Sequence, residues 1–206
     1  MIIKVCGLTD VNNIEELENS CNIAMVGYNF YSKSQRFLDI KTVDVDDFNS
    51  INSLKVGVFV DAELTYIEDH IEAFDLDFVQ LHGNESIDFV DLVANVTNVI
   101  KAVGIETKED LMNARQYRSC EYILFDKKSP LHGGTGVQFD WKLLKHYTGE
   151  TPFLLAGGIG PEDFTKVKEI KHNHFAGVDL NSKFETSAGI KNVNMIKGFL
   201  YDLKYK

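Results

Sequence analysis

Two side chains open the argument. Cys6 closes the apolar run Ile2-Ile3-Lys4-Val5 and stands before Gly7; Asp126 closes Tyr122-Ile123-Leu124-Phe125 and opens a loop. A thiolate can act as a base, but an ordinary cysteine titrates near roughly 8.5 and needs a cation beside it at neutral pH. The bland alternative for Cys6 is a small buried hydrophobe, which is what a free cysteine usually is; Cys21 and Cys120 are given that reading. A carboxyl at the mouth of a fold can donate a proton when partly buried. The alternative for Asp126 is a turn or helix cap.

Other polar residues follow apolar runs in the same way: Asp61, His82-Gly83, Gly157-Gly158 and Asp179, with Asn181-Ser182 just beyond. Gly157-Gly158-Ile159-Gly160 precedes Pro161, a residue suited to a first helical turn. Glycines let a backbone approach a phosphate closely, and Asn181-Ser182 offers N–H groups where a short helix can begin. A tight turn explains the glycines equally well. Gly157, Gly158, Asn181 and Ser182 are nonetheless the candidate phosphate site. His82 either binds substrate or hydrogen-bonds the rim. Arg36, near Lys33 and Ser34, is a solvated surface charge unless a ligand carboxylate needs its guanidinium fork. Arg36, His82 and Asp179 are the candidate substrate contacts.

The elements that must carry these residues are short and regularly spaced. Candidate strands are Ile2–Cys6, Ile23–Tyr28, Lys55–Val60, Asp77–Leu81, Asn98–Val103, Glu121–Phe125, Pro152–Ala156 and Phe175–Val178. Several are almost continuously hydrophobic, as parallel strands covered on both faces are. Between them lie stretches of helical period. Thr9 or Asp10 caps one bearing Ile14, Leu17 and Cys21; Asp61 or Ala62 opens one with Leu64, Ile67, Ile71 and Phe74. Pro161 leads one with Phe164, Val167 and Ile170, and the last runs from Gly189 through Val193, Ile196, Leu200 and Leu203. Eight strands, each followed by a helix, predict an α/β fold of (β/α)8 TIM-barrel type, a single domain over residues 1–206. In that architecture the strand C-terminal ends form one rim, and the loops after strands seven and eight often hold phosphate. The polar strand ends then converge.

Composition sets the limits. The 206 residues are 44% hydrophobic and 25% charged, with a net charge of −10 and a sequence pI of about 5.0. Clustered basic residues for nucleic acid or an anionic membrane are not to be expected. No apolar run nears the roughly 20 residues that span a bilayer, and Met1–Asp10 does not read as a signal peptide. Three widely spaced cysteines without a CxxC indicate neither a disulfide framework nor a zinc site. The expected setting is cytoplasmic, with a small-molecule partner, no metal and no organic cofactor; the oligomeric state is open. Taken alone, the residues lead to a phosphate-binding barrel enzyme with acid–base chemistry.

Several segments in this order resemble the phosphoribosylanthranilate isomerase family of tryptophan biosynthesis. They are Lys4-Val5-Cys6-Gly7-Leu8-Thr9, Phe30-Tyr31-Ser32-Lys33-Ser34-Gln35-Arg36, Val79-Gln80-Leu81-His82-Gly83, Leu124-Phe125-Asp126, and Gly133-Gly134-Thr135-Gly136 with Phe139-Asp140-Trp141. Leu155-Ala156-Gly157-Gly158 and Gly177-Val178-Asp179 through Glu185-Thr186 complete the set. The resemblance implies an Amadori rearrangement of N-(5′-phosphoribosyl)anthranilate to 1-(2-carboxyphenylamino)-1-deoxyribulose 5-phosphate, without metal or organic cofactor. It also implies Cys6 as general base, Asp126 as general acid, Arg36 against the anthranilate carboxylate, and amides near Gly158 and Ser182 on the phosphate.

Some positions depart from the family pattern. Asn181-Ser182-Lys183 stands where Ser-Ser-Gly is common, which touches side-chain more than backbone phosphate contacts; Gln35 replaces a frequent proline; His132 is assigned no role. Two rivals share the scaffold features: another phosphosugar isomerase, epimerase or lyase, and a phosphosugar-binding barrel without activity.

Overall fold

The structure, a computed structural model, describes residues 1–128 and 137–206. The glycine run Gly133–Gly136 and His132 therefore lie outside the described residues.

Eight parallel strands close into a barrel in chain order: β1 (Ile2–Cys6), β2 (Met25–Asn29), β3 (Leu54–Phe59), β4 (Phe78–Leu81), β5 (Asn98–Ile105), β6 (Tyr122–Lys127), β7 (Phe153–Leu155) and β8 (Phe175–Leu180). All eight expected runs are strands, with no end shifted by more than two residues. The ring closes where Lys4 of β1 pairs with Asp179 of β8, and on its other side Cys6 pairs with Gly27 of β2. Alternation assigns the two faces. Met25, Val56, Phe78, Ile100, Leu124 and Leu154 form an inner core. Val5, Val26, Val79, Ile123, Leu155 and Val178 face outward into the larger core beneath the helices. Lys4 and Cys6, Gln80 and His82, and Leu124 and Asp126 therefore lie on inward-facing positions of their strands.

The helices start where local chemistry satisfies their first N–H groups. In α1 (Val11–Ser20) the Asp10 carboxylate accepts from Asn13 N at 2.8 Å. In α4 (Ile87–Ala94) Ser86 Oγ accepts from Phe89 N at 3.2 Å, and α5 (Lys108–Ala114) begins with a reciprocal box of Thr107 and Asp110. Between β2 and β3 is a short helix, α2 (Val45–Asn49), and between β7 and β8 a 3-10 turn, Pro161–Asp163, leads into α6 (Phe164–Lys168). As the spacing predicts, Ile67 and Phe74 are buried in α3 (Leu64–Phe74).

Three expectations are corrected. The helix after β3 begins at Leu64, behind Glu63, rather than being opened at Asp61 or Ala62. Asp61 instead takes a left-handed conformation, φ 47°, and its carboxylate accepts from Asn84 N at 2.7 Å. Among the described residues a 3-10 turn, Trp141–His146, rather than an α-helix stands between β6 and β7. Gly189 does not begin the last helix, α7 (Val193–Tyr205). It turns a small antiparallel hairpin of β9 (Glu185–Ser187) and β10 (Ile190–Lys191) at φ 90°. That hairpin shapes the site. Among the described residues no helix is long and apolar enough to cross a membrane.

Candidate active site

The C-terminal rim of the barrel collects the expected residues. β1 and β6 stand three positions apart around the eight-strand ring, so Cys6 and Asp126 project from nearly opposite walls. Cys6 is only 5% exposed, and a Cβ on Gly27 would come within 2.7 Å of its sulfur. Burial pushes the Cys6 thiol up; Lys4 and Lys191 pull it back, and Asp179 pushes it further up.

Asp126 lines a cleft of about 860 Å³ together with His82, Gly83, Lys101, Lys127 and Lys128. Its Oδ1 accepts from Lys127 N at 2.7 Å, and its Oδ2 stands 3.5 Å from His82 Nε2. The His82 ring is steadied by Gln80, whose Nε2 lies 2.7 Å from Nδ1. Asp179 is in electrical contact with both walls, with Lys4 and Cys6 on one side and with His82 and Asp126 on the other. Its Oδ1 pairs with the buried Lys4 at 3.1 Å. Burial acts to lower the Lys4 ammonium pKa, but Asp179 and Cys6 outweigh it and hold it above its usual value.

Gly157 and Gly158 both take positive φ, 82° and 66°. A Cβ on Gly157 would fall 2.5 Å from Asp126 Oδ1. The glycine thus makes room for the acid as well as for a turn. The carbonyl of Gly158 accepts from Gln138 Nε2 at 3.0 Å, and Gln138 also donates to Asp163. No described residue accepts from the N–H groups of Gly158 or Ser182. Ser182 opens a 3-10 turn, Ser182–Phe184, as the sequence suggested, while Asn181 Oδ1 is committed to Lys191 Nζ at 2.7 Å.

Comparison with known proteins gives one answer. The family model for N-(5′-phosphoribosyl)anthranilate (PRA) isomerase matches residues 3–202. An N-(5′-phosphoribosyl)anthranilate isomerase of Parabacteroides distasonis is 41% identical, covering 98% of this chain and 93% of its own; one from Phocaeicola vulgatus is 35% identical over 100% and 99%. The chain belongs to the N-(5′-phosphoribosyl)anthranilate isomerase family. Among solved structures, the Thermotoga maritima phosphoribosyl anthranilate isomerase superposes with a TM-score of 0.83 at 32% identity, covering 99% of each chain. Another, with a TM-score of 0.79 at 30% identity and 99% coverage of each chain, is in complex with reduced 1-(o-carboxyphenylamino)-1-deoxyribulose 5-phosphate.

In this isomerase-family chain Arg36 is no solvated surface charge. Its Nε and Nη2 donate to the two oxygens of Glu185 at 2.7 and 2.6 Å. Glu185 first, and its charge again, holds the guanidinium above its usual range against the opposing effect of burial. Residues that sequence reasoning did not single out as site residues are Lys4, Gln80, Gln138, Glu185 and Lys191. A signal existed for two of them: Lys4 and Gln80 stand two residues before Cys6 and His82, hence on the same strand face. Nothing local announces the others. Among the described residues no group of three or more His, Cys, Asp or Glu is arranged to hold a metal ion.

Proposed function

We infer that this family member catalyses the aldose-to-ketose isomerisation for which its relatives are named, a step of tryptophan biosynthesis, with residues 1–206 acting as one barrel domain. The observation that carries the site assignment is the placement of Cys6 and Asp126 at the same end of the barrel on opposing walls.

The chemistry follows from that placement. Asp126 gives a proton to the ribose ring oxygen as the anilino nitrogen pushes its lone pair toward C1. The C1–O bond breaks and leaves an iminium. The adjacent C=N⁺ acidifies the C2 proton, which Cys6 removes as thiolate; the C–H electrons form the C1=C2 bond and neutralise the nitrogen. The enolamine then gains a proton at C1 and loses one from its C2 hydroxyl, giving the ketone with no net change in protons. One acid and one base on either side of a held sugar are enough.

Holding falls to the ends. Arg36 binds the anthranilate carboxylate, the amides of Gly157, Gly158, Asn181 and Ser182 bind phosphate, and His82 and Asp179 line the middle. Left-handed glycines, and N–H groups at a turn start with no acceptor among the described residues, support the phosphate end. No cofactor enters these steps, and the cytoplasm is the proposed setting. The test is direct: purified protein mixed with phosphoribosylanthranilate should abolish the substrate's fluorescence, with Cys6→Ser and Asp126→Asn severely impaired. Unchanged fluorescence with the wild-type protein overturns the reading.

A further inference from the structure

Arg36 has five N–H donors, and Glu185 takes the pair along one side, Nε–H and one Nη2–H. Both Nη1 hydrogens and the second Nη2 hydrogen remain, and no described residue accepts from them. That end of the guanidinium is a second fork, geometrically able to take another carboxylate.

Glu185 is itself immobilised. Its Oε1 accepts from Lys191 Nζ at 2.6 Å and from Gly189 N at 3.2 Å in addition to Arg36. Lys191 is fully buried, and its backbone is pinned on both sides by the Asn13 amide, which accepts from Lys191 N at 2.7 Å and donates to Lys191 O at 3.0 Å. The hairpin carrying Glu185 is tied to the end of β1 as well, through Thr9 N to Gly189 O at 3.2 Å. Beneath the arginine stem, Gly7 leaves a gap that a Cβ would close, at 2.5 Å from Arg36 Cδ, and its φ of 73° suits glycine. Arg36 therefore lies across one wall of the site with its stem over Gly7 and its head against a fixed anion. Arg36 and Lys191 are two cations sharing the single charge of Glu185, so the cluster keeps one positive charge in excess.

We propose that Glu185 is the positioning residue for carboxylate recognition: it grips one edge of Arg36 and presents the other edge, with its unbalanced charge, to the carboxylate of the substrate's aromatic ring. Without that grip a long arginine on a loop would lose side-chain entropy on each binding event. The proposal rests on the assignment of Arg36 to the substrate carboxylate.

The experiment compares kcat/KM for phosphoribosylanthranilate with that for the adduct of aniline and ribose 5-phosphate, which lacks the carboxylate, following ketose product by chromatography. The ratio of the two values measures how strongly the enzyme reads the carboxylate. Glu185→Gln puts an N–H against Arg36 or Lys191, and the ratio should fall by about tenfold, the scale of one charge-assisted hydrogen bond. An equal loss with both substrates leaves the ratio unmoved and overturns the proposal, since a merely structural role acts on both alike. If E185Q does not accumulate as folded protein, Glu185→Asp, one methylene shorter, draws the carboxylate back from the guanidinium and the same ratio decides. Wild-type protein inert toward phosphoribosylanthranilate would instead refute the underlying reading of function.

Discussion

His82 presents its Nε2 to Asp126 Oδ2 at 3.5 Å, while Gln80 Nε2 lies 2.7 Å from the other ring nitrogen. With the Gln80 amide donating, Nδ1 accepts and the ring N–H sits on Nε2, aimed at the carboxyl group. Asp126 accepts a hydrogen bond at Oδ1 from the Lys127 amide, and its Oδ2 stands beside His82. Its position is held by these neighbours. Asp126→Asn keeps that size and one oxygen to accept from Lys127 N, turns an N–H toward His82, and removes the transferable proton. The expected result is a fall in kcat of about 10²–10⁴-fold, with KM changed far less, measured by steady-state loss of substrate fluorescence.

The same carboxyl group depends on a missing methyl. A Cβ at Gly157 would stand 2.5 Å from Asp126 Oδ1, on a backbone with φ 82°. Gly157→Ala must therefore displace the acid or the turn, and a shift near an ångström costs on the order of 10²-fold in rate. At Gly160 the nearest atom to such a Cβ is 3.7 Å away, so Gly160→Ala should remain within about threefold of wild type, well under 1.4 kcal/mol. Comparable losses from both substitutions would show that the contact with Asp126 is irrelevant.

pH dependence follows from the sulfur. Burial pushes the Cys6 thiol up, with Lys4 the larger of the two opposing cations. A group with a raised pKa keeps its proton at neutral pH, so the thiolate fraction grows as pH rises. kcat/KM should climb from neutral into the alkaline range. Removing the opposing charge with Lys4→Met should move that climb to still higher pH. A profile that is flat above neutrality in the wild type would argue against a sulfur base.

Lys4 and Asp179 form a buried pair at 3.1 Å, with side chains 0% and 7% exposed. Lys4→Met strands a carboxylate away from water, which costs about 3–5 kcal/mol. Lys4→Met with Asp179→Leu replaces the pair by apolar groups, and most of that loss should return. Urea melts of the single and double variants check this; a double variant as unstable as the single one contradicts it.

Much of this site was legible along the chain, and the reason is periodicity. A strand sends every second side chain to the same face, and β1 and β6 each finish on a polar residue after an apolar run. Cys6, His82, Asp126 and Asp179 could be assigned to one rim from their spacing alone, because parallel strands joined by helical crossovers all point the same way. The hairpin at Glu185–Lys191 was not legible. Its hydrophobic spacing continues that of α7, and only the pairing of Ile190 with Ser187 separates the two.

The amino-acid order by itself determined the eight strands, the inward parity of Lys4 with Cys6 and of Gln80 with His82, and the family. Tertiary structure alone decided which charges meet. Arg36 and Glu185 are 149 residues apart, and nothing local selects that one partner from 31 acidic side chains. Lys4 finds Asp179 only because β1 closes the ring against β8. Local pattern governs which way a side chain points; the closure of the barrel and the turn of the hairpin govern what it points at.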